Sequence, residues 1–376
     1  MTLSVVILNY NVRYFLEHCL YSVVRATTAM DAEIIVVDNA SSDDSAAMVK
    51  SKFPQVKLIE SATNDGFSAG NNLGIAEAKG EYICLLNPDT IVGEQTLEKA
   101  LEKAQSLEEL GALGVKMVDG TGRFLPESKR RVPYISSALK KLIGFGRGKG
   151  YYEHNLGEDE DGIVGVLVGA FMLFRKDRYL EVGGLDESYF MYGEDIDLSY
   201  SFTKAGYNNY YLGSEAILHY KGESTSKDSK YWNRFYGAML IFYRKHFPDR
   251  KWLMPILKLG LGFLKLFAAL SFKTRSKGLI PTEQTFLLSE QLTLRDQLEN
   301  KLGMESLKTL SKSRAFDGGI QRSLFVMDSS YMDYQQMIRL MQILKNKQNR
   351  FRIHPKGSNF MIGSDFSDQK GEVITW

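Results

Sequence analysis

The first part of the chain is predicted to be an α/β fold built on a doubly wound, mostly parallel sheet, and three observations predict it. Residues 3–8, 33–37, 56–59 and 82–86 are short runs rich in Val, Ile and Leu. Helical patterns at 13–25, 43–52 and 68–79 separate them. The runs are apolar without alternation, as strands covered by helices on both faces must be. Punctuation follows the same order. Ser41, Ser42 and Asp43 offer N-caps to the second helix, and Gly80 stands where a left-handed C-terminal cap belongs. Further on, a strand at 113–118, an apolar run at 166–174, a helix near 197–205 and a strand around 208–212 complete a second half. Between them Gly144–Gly162 holds six glycines, paired tyrosines and the acidic run Glu158–Asp161, which reads as a mobile, solvated loop.

Composition limits what this fold can do. With 376 residues, 44% hydrophobic and 24% charged, the chain can bury one large core and a second small one. A formal charge of +2 gives no global electrostatic reason to expect nucleic acid. Two cysteines, Cys19 and Cys84, form no disulfide framework and suit a reducing compartment. The N-terminus runs straight into an apolar strand without a basic n-region, so no secretory signal is expected and a cytoplasmic location is.

Residues 252–272 are strongly apolar but carry Lys258 and Lys265, seven apart on nearly one helical face, with Lys245, Arg250, Lys251, Lys273, Arg275 and Lys277 flanking. A spanning helix would bury both charges, so a helix lying on an anionic membrane surface is ranked first and a buried docking helix stands as the alternative. Beyond 281 the tail reads as a small α/β unit. It has helical patterns at 283–302 and 331–347 and strand runs at 323–327, 350–353 and 359–362, with no spacing suited to a metal, phosphate or nucleophile site.

Ligands of open parallel sheets bind outside the carboxyl ends of the strands. There the chain places Asn9-Tyr10-Asn11, Asp38-Asn39, Asn64-Asp65-Gly66-Phe67 and Asn87-Pro88-Asp89. Each set alone is ordinary turn chemistry; four at one edge suit a base and ribose, whose edges need paired donors and acceptors. No glycine-rich phosphate fingerprint follows strand one, so phosphate calls for a hard cation, and Asp89 is the best-placed carboxylate to hold it. His219 can add a neutral imidazole. The run Glu194-Asp195-Ile196-Asp197 follows four residues of mostly aromatic character and opens a helix. Capping accounts for Asp197, but three carboxylates exceed what a cap needs, and Asp195 reads as a general base.

Val5-Val-Ile-Leu-Asn-Tyr-Asn11, Val36-Val-Asp-Asn-Ala-Ser-Ser-Asp43, Asn71-Asn-Leu-Gly74, Leu85-Leu-Asn-Pro-Asp-Thr90 and Gly193-Glu-Asp-Ile-Asp197 together resemble family 2 glycosyltransferases, closest to bacterial rhamnosyltransferase-like members. The likeness covers residues 1–247 in order. It implies a GT-A fold, a dTDP-, UDP- or GDP-sugar donor, Mg2+ or Mn2+ on the diphosphate, and inversion at the anomeric carbon. It further implies that Asp38 and Asn9–Asn11 face the base and that Asn64, Asn71 and Asn72 lie near the ribose and diphosphate. Asp89 would hold the metal and Asp195 would deprotonate the acceptor, with Glu194 and Asp197 in support. Asn87 departs from the family pattern, which commonly has a carboxylate there, and this puts strict metal dependence in question.

The expected organisation is a catalytic domain at 1–247, a membrane-associating segment at 248–280 and an α/β extension at 281–376. The expected function is sugar transfer to a lipid-linked or polysaccharide acceptor in bacterial surface glycan assembly, at the inner face of the cell membrane. A sugar nucleotidyltransferase and a catalytically inactive scaffold of the same fold are the alternatives.

Overall fold

In the computed structural model the described residues are 1–133, 151–222, 229–253, 255, 262, 281–303, 307–367 and 370–376. Strands β1 (Leu3–Asn9), β2 (Ala32–Asp38), β3 (Lys57–Glu60) and β4 (Tyr82–Leu86) are parallel neighbours in the order β3-β2-β1-β4. The helices between them are α1 (Arg13–Thr27), α2 (Ser45–Lys52) and α3 (Gly66–Ala76). Alternation along β1 shows why both faces need cover. Leu3, Val5 and Ile7 join the core under α1 and α2, whereas Val6 and Leu8 join the core under α3.

The sheet then turns mixed. After β5 (Thr90–Ile91) and α4 (Thr96–Gln105) come β6 (Leu110–Val118), the short β7 (Lys129–Arg130), β8 (Gly162–Val164), β9 (Val166–Leu167) and β10 (Phe171–Arg175). They are followed by α5 (Lys176–Glu181), α6 (Glu194–Lys204) and β11 (Asn208–His219). Strand β10 is antiparallel between β4 and β6, β11 runs parallel to β6, and β5 is antiparallel to β11. The long helix α7 (Ser229–His246) packs Tyr236, Phe242 and Tyr243 in a small aromatic core with Tyr189.

The tail has its own six-stranded sheet. It comprises β12 (Gln284–Leu288), α8 (Leu292–Leu302), β13 (Leu307–Thr309), α9 (Lys312–Phe316) and β14 (Ser323–Asp328), then α10 (Tyr334–Ile343), β15 (Arg350–His354), β16 (Phe360–Gly363) and β17 (Glu372–Thr375). The order is β13-β12-β14-β15-β16-β17. One face of this layer shares a core with Val12 and Phe15 of α1 and with Ile91, Leu218 and Tyr220. Glu94 strengthens the join by accepting from the backbone amides of Tyr334 and Gln335 at the start of α10.

Several expectations need correction. The helical pattern at 283–302 begins with strand β12, because Leu287 and Leu288 fill the tail's core as strand residues before α8 starts. The apolar run 166–174 is two strands broken around Gly169, whose amide points at a carboxylate of α6. Gly80 is no left-handed cap, since α3 ends at Ala76. It is needed because a Cβ there would lie 2.5 Å from the Ser4 backbone nitrogen. The acidic run is exposed at Asp159, Glu160 and Asp161, as a solvated loop would be, and is also anchored: Asp159 pairs with Lys116, Glu158 with Lys345, and Asp161 accepts from the Ser214 amide. Gly144–Gly150 and most of 252–272 lie outside the described residues. Among the described residues no helix is long and apolar enough to cross a membrane.

Candidate active site

Parallel β1, β2 and β4 bring their carboxyl ends to one edge, and the edge is wired by amides. Asn9 Nδ2 donates to Asp38 Oδ1 at 2.8 Å and to Ser41 Oγ at 3.0 Å, while Asp38 Oδ2 accepts from the Ser41 amide. Asn9 Oδ1 is buried with no partner among the described residues, leaving an acceptor to be satisfied. Tyr10 is exposed beside it, an aromatic face open to stacking. Asn11 adopts φ 56° and accepts from the amide and hydroxyl of Ser42. A shallow pocket of about 510 Å³ adjoins this loop, lined by residues 11–15 and 42–44 and, from the tail, by Lys370 and Val373.

Other members of the expected set are committed to local structure. Asn39 Nδ2 donates to Asn64 Oδ1 at 2.9 Å, Asn64 Oδ1 also accepts from the Gly66 amide, and Asn39 Oδ1 accepts from the Asp65 amide. These bonds hold the turn into α3. At Gly66, φ is 89° and an added Cβ would lie 2.4 Å from the Phe190 carbonyl, so only glycine lets the aromatic stretch close over this turn. The Phe67 amide donates to that same carbonyl. Asn71 is buried with its side-chain amide on the Phe67 carbonyl, and Asn72 bonds the Leu185 carbonyl, Glu187 and Tyr179.

Asp89 lies just past β4. Pairing of Thr90 with His219 across β5 and β11 brings His219 Nε2 to 3.3 Å from Asp89 Oδ1, with both side chains buried. The Tyr220 amide donates to the Asp89 carbonyl and fixes the turn. His219 Nδ1 is buried with no partner among the described residues. A carboxylate and an imidazole are a donor set that fits a divalent cation. Among the described residues no third His, Cys, Asp or Glu joins them. Asn87 donates its amide to the Ala170 carbonyl and stands in the same turn.

The acidic start of α6 lies next to this edge. Asp195 Oδ2 accepts from Arg130 Nη2 at 2.6 Å and from the Gly169 amide at 3.3 Å, and Oδ1 accepts from the Ile196 amide at 2.8 Å. Gly169 precedes the residue that bonds Asn87, which ties Asp195 to the β4 turn. Glu194 is buried, and Oε2 has no partner among the described residues. Burial, reinforced by the Asp195 charge, pushes its carboxyl up to about 8. Asp197 belongs elsewhere. It is fully buried against Lys245, His246 and Tyr189 and ties α7 to α6, neither capping nor facing the edge. Sequence reasoning missed Arg130. Its one signal was the basic run Lys129-Arg130-Arg131, which carries no spacing rule.

Residues 4–182 match the model of glycosyl transferase family 2. An N-acetylglucosaminyl-diphospho-decaprenol L-rhamnosyltransferase of Mycobacterium tuberculosis is 30% identical over 242 residues, 60% of this chain and 78% of the relative. The low-salt glycan biosynthesis hexosyltransferase Agl10 of Haloferax volcanii is 28% identical over 64% of this chain and 76% of its own length. Rhamnosyltransferase WbbL of Escherichia coli is 29% identical over 41% of this chain and 61% of its own.

Proposed function

Because the chain belongs to glycosyltransferase family 2 and is a hexosyltransferase, we propose that it moves a sugar, rhamnose first among the choices, from a nucleoside-diphosphate donor to a hydroxyl of a lipid-linked or polysaccharide acceptor, with inversion. The observation that carries this reading is the Asp89–His219 pair at the same carboxyl edge as Asn9 and Asp38, with the Asp195 turn beside it. The named relatives act on a diphospho-decaprenol acceptor or transfer rhamnose, which favours a lipid-linked acceptor and a deoxysugar donor.

In this reading Tyr10 stacks on the base, and Asn9 and Asp38 bond its edge and the ribose. Asp89 and His219 would hold Mg2+ or Mn2+, which when bound would supply charge neutralisation on the diphosphate. Asp195 takes the acceptor hydroxyl proton as that oxygen attacks the anomeric carbon, and the bond to the diphosphate breaks with its electron pair on the leaving phosphate oxygen. Glu194, protonated at neutral pH, leaves the Arg130 charge matched by the Asp195 carboxylate. A single base opposite the leaving group is what inversion requires. The work is placed at the inner face of the cell membrane, on the strength of the apolar, lysine-bearing stretch at 252–272.

A thermal-shift panel of dTDP-, UDP- and GDP-sugars with and without Mn2+ tests it. The preferred donor should give the largest shift, and only with the metal. Absence of any nucleotide-sugar shift under either condition would overturn the reading. Retention on anionic vesicles that falls with salt is expected of the full chain, and unchanged partitioning after deletion of 252–272 would end the membrane claim.

A further inference from the structure

Arg130 is a buried cation whose hydrogen bonds converge on the reacting end of the site. It stands on β7, paired antiparallel to β9. Nη2 donates to both the Leu167 carbonyl and Asp195 Oδ2, each at 2.6 Å, and Nη1 donates to the Tyr151 hydroxyl at 3.0 Å. With the Gly169 amide also on it, Oδ2 receives two donors, whereas Oδ1 receives only the Ile196 amide. A carboxylate oxygen accepts about two hydrogen bonds. One site on Oδ1 is therefore left to take a proton.

Resting on the reading of Asp195 as the base, we propose that Arg130 is a positioning residue for the transfer step: it closes Oδ2, fixes the carboxylate plane, and so presents Oδ1 to the acceptor hydroxyl. A planar fork anchored at three points holds an angle that a point charge on a flexible stem cannot. Arg130 also sets the charge of its surroundings. Beside Asp195 stands Glu194, which feels its charge; Asp197, further along α6, is engaged by Lys245, His246 and Tyr189, and Tyr151 is bonded to the other terminal nitrogen of the guanidinium. Without Arg130, Asp195 would keep Glu194 as a neighbour and lose the one cation bonded to it among the described residues.

The test is the pH dependence of kcat, with nucleoside diphosphate affinity measured by calorimetry, on wild type, Arg130→Gln, Arg130→Lys and Asp195→Asn. Arg130→Gln is expected to bind the diphosphate within about twofold of wild type. Its kcat should fall on the order of 10²-fold, the cost of a misplaced catalytic group. Its acidic limb should move up by about one pH unit or more as the opposite charge disappears. Arg130→Lys keeps the charge and loses the fork, so the limb should stay while kcat falls about tenfold. An unmoved limb in Arg130→Gln, or diphosphate affinity that falls as much as kcat, overturns the proposal. If Arg130→Gln does not fold, wild-type kcat in Arg130→Lys overturns it. Wild-type turnover in Asp195→Asn would instead sink the base reading, and the proposal with it.

Discussion

The two ends of the site are built on different physical principles. At the donor end, Asn9, Asp38, Ser41, Asn39 and Asn64 form an amide and hydroxyl web between strand ends that adjoin in the sheet. At the acceptor end, a buried Arg130–Asp195 ion pair joins elements 65 residues apart and sits beside a protonated Glu194. The first arrangement suits a ligand read by hydrogen-bond pattern, because its groups apart from Asp38 are neutral and bind and release without large desolvation changes. The second suits a proton transfer, because charges in a water-poor site act strongly and stay where they are put. In the proposed reading Asp89 and His219 serve the donor end.

If this contrast is right, substitutions at the two ends should fail in different ways. The largest effect is expected from Asp89→Ala, which removes the carboxylate under the diphosphate: transfer at saturating Mn2+ should fall about 10³-fold. Metal titrations of rate should show it, and wild-type Mn2+ dependence would refute the assignment. Asp38→Ala should weaken nucleoside diphosphate binding about 10- to 100-fold by calorimetry, the effect of losing a charged hydrogen-bond partner.

Glu194→Gln probes the charged end through stability. The carboxyl is raised from 4.5 to about 8 in the folded state, so its stabilising contribution is complete below about pH 4.5 and is lost as pH rises through 8. Thermal denaturation of wild type should therefore weaken from pH 5 to 8.5 relative to Glu194→Gln, by at least the roughly 1.4 kcal/mol of one pKa unit. Parallel pH curves would contradict it. The smallest effect is expected from Asn39→Ala, which loosens the turn into α3 by about 1–2 kcal/mol in denaturant unfolding.

The same contrast explains what could be read from the sequence. Strands β1 to β4 declare themselves as apolar runs, and the polar residues at their ends are fixed by chain direction, so the polar edge of the sheet was legible. The bonds that Asn71 and Asn72 make were not legible, because their motif says nothing about which side-chain groups helix packing will occupy. Asp195 was legible as part of an acidic helix start, but its partner was not. No local rule links a two-residue strand at Lys129–Arg130 to a helix that begins at Glu194. Asp197 resembled its neighbours in sequence and differs only because α7 returns Lys245 and His246 to it. In the tail, β12 was hidden because Leu287, Leu288, Leu294 and Leu298 mimic one helical stripe, while Ser289–Gln291 is the actual break.

The most direct measurement is diphosphate affinity and single-turnover transfer on Asp195→Asn and Asp38→Ala side by side. A crossed pattern is predicted: Asp195→Asn keeps wild-type affinity and loses about 10²-fold or more in rate, whereas Asp38→Ala loses affinity and recovers most of its rate at saturating donor. Equal losses of affinity and rate in both variants, or transfer at the wild-type rate in Asp195→Asn, would contradict a division of the site into a donor-reading edge and a proton-taking end.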